Sequence, residues 1–97
     1  VKDSKFEWHL LKAQRNLQVH GVSFDEAVTI FDDPLVDIQP DIVHSVDESR
    51  FVAVGRSIEG SLLTVVFTER SEVMRLITAR FCTPRERRNY ESYDPFA

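Results

Sequence analysis

Hydrophobic and polar positions alternate with two periods along this chain, and the switch between them divides it into elements. Phe6 and Trp8 alternate with Lys5 and Glu7, as in a short strand. Leu10, Ala13 and Leu17 then recur at i, i+3 and i+7, one face of a helix near 9–20, and Gly21 after His20 suits a left-handed C-cap. Ser23-Phe24-Asp25-Glu26 reads as a capping box opening a second helix near 23–32. Phe24, Ala27, Val28 and Phe31 form its apolar face, and Asp32-Asp33-Pro34 stops it. Residues 35–38 suit a short edge strand, and 39–49 a polar acidic loop.

Three long strands follow, within 50–57, 61–70 and 73–81. Glu59-Gly60 and Ser71-Glu72 are connections short enough for antiparallel hairpins. Thr83-Pro84-Arg85-Glu86 is a second capping box, with Pro at the first helical position, and opens a helix near 83–93. Its apolar stripe is thin: Tyr90, Tyr93 and Phe96. The pattern predicts one α+β domain over 1–97: two N-terminal helices, a four-stranded antiparallel sheet and a C-terminal helix. Strict alternation would put Arg50, Val52, Val54 and Arg56 on one face of the first long strand. On the third it would separate Met74, Leu76, Thr78 and Arg80 from Val73, Arg75, Ile77, Ala79 and Phe81.

Composition narrows the class. No apolar run approaches the ~20 residues of a membrane span, and Val1-Lys2-Asp3-Ser4-Lys5 leads into no signal-like apolar segment. The single cysteine, Cys82, excludes an internal disulfide framework and a Cys-rich zinc site, so a reducing cytoplasmic setting is expected. The net charge of −4 argues against a generic nucleic-acid coat, but it is unevenly spread. Residues 1–49 carry four Lys/Arg against ten Asp/Glu; residues 50–97 carry eight against six, and all eight are Arg. Arg presents a planar fork suited to phosphate or carboxylate, so the C-terminal half points to an anionic ligand or an acidic partner.

Several runs together resemble the BrnT family of bacterial toxins. They are Phe6-Glu7-Trp8, Lys12-Ala13, Asn16, His20-Gly21-Val22-Ser23-Phe24, Glu26-Ala27 and Phe31-Asp32-Asp33-Pro34. His44-Ser45, Glu48, Arg50-Phe51 and Gly55 follow, then Phe67-Thr68-Glu69-Arg70, Arg75 to Arg80, Thr83, Arg85-Glu86-Arg87 and Tyr90-Glu91. The resemblance covers residues 5–91. It implies a type II toxin with a RelE-like fold and endoribonuclease activity, inhibiting translation. It also implies a BrnA-like antitoxin with a ribbon-helix-helix domain, and contact with operator DNA only through that antitoxin. Two positions depart from the family pattern: His9-Leu10 stand where Asp-Pro is frequent, and Val19 where Lys is.

Metal-independent RNA cleavage needs a base for the 2′-OH, an acid for the leaving 5′-oxygen and cations for the phosphorane. No cofactor is expected and no metal-ligand spacing repeats. Arg50, Arg80 and Arg85 are the catalytic candidates as cations, and His20 the candidate that titrates near neutrality. Arg70, Arg75, Arg88 and Tyr90 are candidates for RNA binding, Tyr90 by stacking on a base. Arg80 and Arg85 bracket a helix start, a sensible phosphate site. Each Arg has a bland alternative, a solvated side chain or a salt bridge to Glu48, Glu69 or Glu86; for Tyr90 it is packing on the sheet, for His20 a helix-end cap. His44 has Asp47 and Glu48 within reach, and Cys82 suits a small buried position. The segment Arg70–Tyr93 is the expected antitoxin surface, where neutralisation would be direct competition with RNA. A protein that captures antitoxin and represses its operon without cleaving RNA is the alternative, and a small ligand-binding α+β module is a third.

Overall fold

A computed structural model describes residues 5–93. In chain order the elements are β1 (Phe6–Glu7), α1 (Leu10–His20), α2 (Phe24–Ala27), β2 (Asp37–Pro40), β3 (Arg50–Arg56), β4 (Leu62–Arg70), β5 (Val73–Phe81) and α3 (Pro84–Tyr93). The sheet has five strands in the order β1-β5-β4-β3-β2. It is mixed, which corrects the four-stranded antiparallel expectation. β2 through β5 form an antiparallel meander, but β1 lies parallel on the outer edge of β5, with Phe6 opposite Met74. Its pairing is only two residues long, secured by the Met74 N–H donating to the Lys5 carbonyl at 2.8 Å.

The second helix is not continuous. One α-turn, α2, passes into a 3₁₀ segment over Val28–Asp32. Val28, Thr29 and Ile30 are consecutive β-branched residues, which weaken an α-helix, and the Thr29 hydroxyl donates back to the Glu26 carbonyl at 2.6 Å. Ser23 caps as expected, its Oγ accepting from the Glu26 N–H at 3.0 Å. The reciprocal half of the box is not made; the Glu26 carboxylate instead accepts from the Ser57 hydroxyl at 2.7 Å. The edge strand also lies two residues later than expected.

One sheet face packs against α2 and the 3₁₀ turn around Phe24, Ala27, Ile30, Ala53, Leu63, Val65, Phe67 and Leu76. Gly55 belongs to this contact. A Cβ there would sit 3.1 Å from the Ile30 Cβ and 3.2 Å from its carbonyl oxygen, so any larger residue would push the 3₁₀ turn outward by a few tenths of an ångström.

α1 turns differently from its leucine stripe. Leu10 and Leu17 are 55% and 52% exposed, and the residue it buries is Asn16. The reason is the edge of β5 beyond the short β1. Asn16 Nδ2 donates to the carbonyls of Ala79 (2.8 Å) and Val22 (2.9 Å), while its Oδ1 accepts from the Ala79 N–H (3.1 Å) and the Thr78 hydroxyl (3.0 Å). One side-chain amide thus completes a strand edge that would otherwise be buried unpaired.

Candidate functional site

The opposite sheet face gathers the arginines. Register places Arg50, Thr68 and Arg75 side by side across β3, β4 and β5, with Glu7 of β1 next to Arg75. The next row is Gln39, Val52, Val66 and Thr78, and the third is Asp37, Val54, Thr64 and Arg80. Arg75 and Arg80 are an odd number of residues apart and should face opposite ways in a regular strand. A β-bulge prevents this: Phe67 pairs with Leu76 and Val66 with Thr78, so Ile77 has no partner on β4. The bulge corrects the expected alternation of β5, turning Ala79 to the core with Leu76 and Arg80 to the face of Arg75. Rows one and three are about 13 Å apart, four residues along β4.

The two ends of this face differ. At one end Glu48 lies between two cations, 3.7 Å from Arg50 Nε and 3.5 Å from Arg70 Nη2. Arg50 Nε is buried and makes no hydrogen bond among the described residues. Arg75 is 3.7 Å from Glu7. At the other end Arg80 holds Glu86 through two hydrogen bonds of 2.7 and 2.9 Å. Glu86 Oε1 also accepts from the Thr83 N–H at 2.8 Å, and Thr83 Oγ1 from the Glu86 N–H at 3.2 Å, so this capping box is complete. The Arg80 hydrogen bonds bring the Glu86 carboxyl down to about 2 and raise the Arg80 pKa in turn. Arg85 and Arg88 are exposed on α3 and make no ion pair among the described residues.

Tyr90 is placed elsewhere than expected. It is 5% exposed and its hydroxyl donates to Asp33 Oδ2 at 2.6 Å, with the Arg56 guanidinium 5.6 Å from the ring centre. Burial and then the Asp33 carboxylate push its hydroxyl up to about 12. Burial opposes the Asp33 charge, but hydrogen bonds from Tyr90, the Arg56 N–H and the Leu35 N–H hold its carboxyl below the ordinary range. This network fastens α3 to the turn before β2, a role that leaves the ring no free face for a base. Tyr93 is exposed, and Phe96 lies outside the described residues.

His20 sits apart from the arginines. It is exposed at the end of α1, on a groove of about 260 Å³ that it lines with Lys12 and Arg15. His44 pairs with Asp41, Nδ1 to Oδ2 2.9 Å, not with Asp47 or Glu48. Cys82 is half-buried against the Thr64 hydroxyl, and burial pushes its thiol pKa up, away from nucleophilic use. No group of three metal-ligating side chains occurs among the described residues. Reasoning from the residues missed the Asp33–Tyr90 anchor and the Lys12–Arg15 pair. The pair carried a signal, since α1 contains no acidic residue.

The geometry defines a small α+β protein with a cationic sheet face framed by acidic partners. Residues 8–86 match the family model for the ribonuclease toxin BrnT of type II toxin–antitoxin systems. The chain therefore belongs to the BrnT toxin family, as its motifs implied. The crystal structure of the Brucella abortus ribonuclease toxin BrnT is similar, with a TM-score of 0.64 and 23% identity over 81% of this chain and 96% of that one. That likeness bears on the fold. No curated protein sequence matches the chain. Membership of a type II toxin family implies an RNA target and an antitoxin partner. No helix of the described residues is long and apolar enough to cross a membrane.

Proposed function

We propose that this chain is a metal-independent endoribonuclease whose substrate phosphate is held on the sheet face carrying Arg50, Arg70 and Arg75. The observation that carries this reading is the bulge at Ile77, which puts every arginine of β5 on the face of Arg50. Glu48 is shared at long range by two part-exposed guanidiniums, so their outward donors are under-used and open to an incoming phosphate. Arg80 is different. Its fork is filled by Glu86, so it anchors the start of α3, and Arg85 and Arg88 extend the cationic surface from there. His20 stands as the candidate for proton transfer, although it lines the groove beside α1 and not the arginine face.

The antitoxin reading follows from the same surface. A ribbon-helix-helix antitoxin with an acidic, apolar segment would cover Arg70–Tyr93 and displace RNA by occupying its cations. In a cytoplasm the free toxin would then stop translation by cutting RNA. A second reading, antitoxin capture without cleavage, is favoured by the placing of His20 on the α1 groove, apart from the arginine face.

The test is cleavage of a long RNA by purified protein with excess EDTA. Cleavage should persist in EDTA and fall on the order of 10²–10³-fold in Arg50→Ala and Arg75→Ala, the usual loss of one transition-state charge contact. Dependence on added Mg²⁺, or full activity in both variants, would overturn the mechanism. No cleavage with intact antitoxin binding would select the second reading.

A further inference from the structure

We infer that the groove between α1 and the edge of β5 is a second RNA-binding surface, which receives the strand as it leaves the arginine face. This rests on the RNA-cleaving reading above. The groove exists because β1 is short: past Arg75 the edge of β5 is covered by Asn16 of α1 instead of by a strand. Its charged walls are Lys12, Arg15 and His20, with no acidic residue in the lining among the described residues. Lys12 and Arg15 make no ion pair among the described residues, unlike Arg50, Arg70, Arg75 and Arg80, which each have a carboxylate. In a half-chain with ten acidic residues and four Lys/Arg, two cations on one groove whose described lining holds no carboxylate are a local reversal of charge.

The chemistry of the lining selects the occupant. Cations alone would suit any anion, but Val19 and Ile77 line the same groove and give an apolar surface beside the charges. A single strand matches that arrangement: its phosphates meet the cations, as in positively charged grooves that track the backbone, and its bases lie against the aliphatic Val19 and Ile77. Asn16 has both amide ends committed to the fold, so affinity would come from charge and apolar contact rather than base reading. Continuity with the first site comes from Thr78. It is paired with Val66 in the middle row of the arginine face, and its hydroxyl bonds Asn16 in the groove. A strand crossing the sheet between Arg75 and Arg80 therefore meets Lys12 and Arg15 at the edge.

Binding of a fluorescein-labelled 2′-O-methyl oligoribonucleotide of about a dozen nucleotides, followed by anisotropy across a salt series, tests this. The 2′-O-methyl groups block cleavage, so binding is read alone. Lys12→Gln with Arg15→Gln should weaken binding on the order of tenfold at low salt. It should also flatten the log–log salt dependence by about 1.4, two phosphate contacts at ~0.7 each for a single strand. The thermal midpoint should not move, since both side chains are exposed. Val46→Glu with Ile58→Glu makes the same change in net charge on exposed connections outside the groove, and should leave the slope unaltered. An unchanged slope in the Lys12/Arg15 variant, or an equal loss in the control, would overturn the groove while leaving the arginine face standing. Loss of antitoxin binding with RNA binding intact would assign the groove to the protein partner and overturn it too. If the unsubstituted chain bound no RNA, both readings would fall.

Discussion

The two ends of the arginine face hold their cations in opposite ways. At the α3 end one guanidinium meets one carboxylate fork to fork, at 2.7 and 2.9 Å, inside a completed capping box. At the β4–β5 hairpin end two guanidiniums share Glu48 at 3.5 and 3.7 Å, and a buried Arg50 nitrogen goes without a hydrogen bond among the described residues. A bidentate pair is geometrically complete and gains little from a new anion; an under-coordinated cluster gains much. Arginines alike in sequence are thereby divided into a clamp and an open anion site. The division also explains why α3 can be mostly polar and still dock. It is held by Arg80–Glu86 at its start and by Tyr90–Asp33 near its end, rather than by an apolar stripe.

The largest expected effect tests that division directly. Arg75→Ala should lose RNA cleavage on the order of 10²–10³-fold while its urea midpoint stays close to the parent, since its only ion pair among the described residues is a long contact to Glu7. Arg80→Ala should lose stability first, by about 1–3 kcal/mol, because it leaves the part-buried Glu86 carboxylate without its main partner. Its loss of cleavage should shrink when assays are corrected for the folded fraction. Unaltered stability in Arg80→Ala, with activity abolished, would make Arg80 a phosphate ligand after all and erase the contrast.

How much of this was legible beforehand depends on whether the signal was local. The Thr83–Glu86 box and the long strands are readable because a few adjacent residues determine them. The bulge is not: Ile77 is an ordinary strand residue with no glycine or proline beside it, and only the pairing with β4 shows that it is skipped. β1 is too short to stand out, and its parallel partner lies at Met74 and Arg75, far along the chain. In α1 the leucines signalled a buried face, yet the sheet edge required an amide, so Asn16 went inward. Tyr90 reads from sequence as a base-stacking residue, and the Asp33 that binds its hydroxyl, 57 positions away, gives no local sign of the anchor. Of the site, the residue types were legible and their division into clamp and open cluster was not, since that depends on which carboxylate each arginine meets.

Acid should act on the two ends unequally. Glu86 titrates near 2 in the folded chain because of Arg80, below its ordinary value of 4.5. A depressed carboxyl contributes stability that is fully present above its unfolded pKa and is lost as the pH falls through the folded one. The clamp's contribution should therefore fade between about pH 4.5 and 2. Solvent screening of this partly exposed pair brings it to about 1–2 kcal/mol. Glu86→Gln should flatten that part of the urea-stability profile, whereas Glu48→Gln should leave it in place. Identical profiles for the parent and Glu86→Gln would mean that the pair gives no pH-dependent stability.

The smallest expected effect lies in the hairpin that closes the open end. Ser71 and Glu72 join β4 to β5 with φ of +49° and +69°. Two successive positive φ values make the type I′ turn that fits the twist of a two-residue hairpin. Neither residue suits it, because a Cβ in the left-handed region is strained, whereas Asn and Gly adopt it readily. Ser71→Asn with Glu72→Gly should stabilise the chain by about 1 kcal/mol, seen as a higher urea midpoint with an unchanged slope. Register is set by the turn and would not move, so Arg70 and Arg75 would keep their places and cleavage should match the parent. A gain in stability with cleavage intact would place the activity in the under-paired cations. A fall in cleavage of tenfold or more, with the same gain in stability, would instead place it in the strain of the turn.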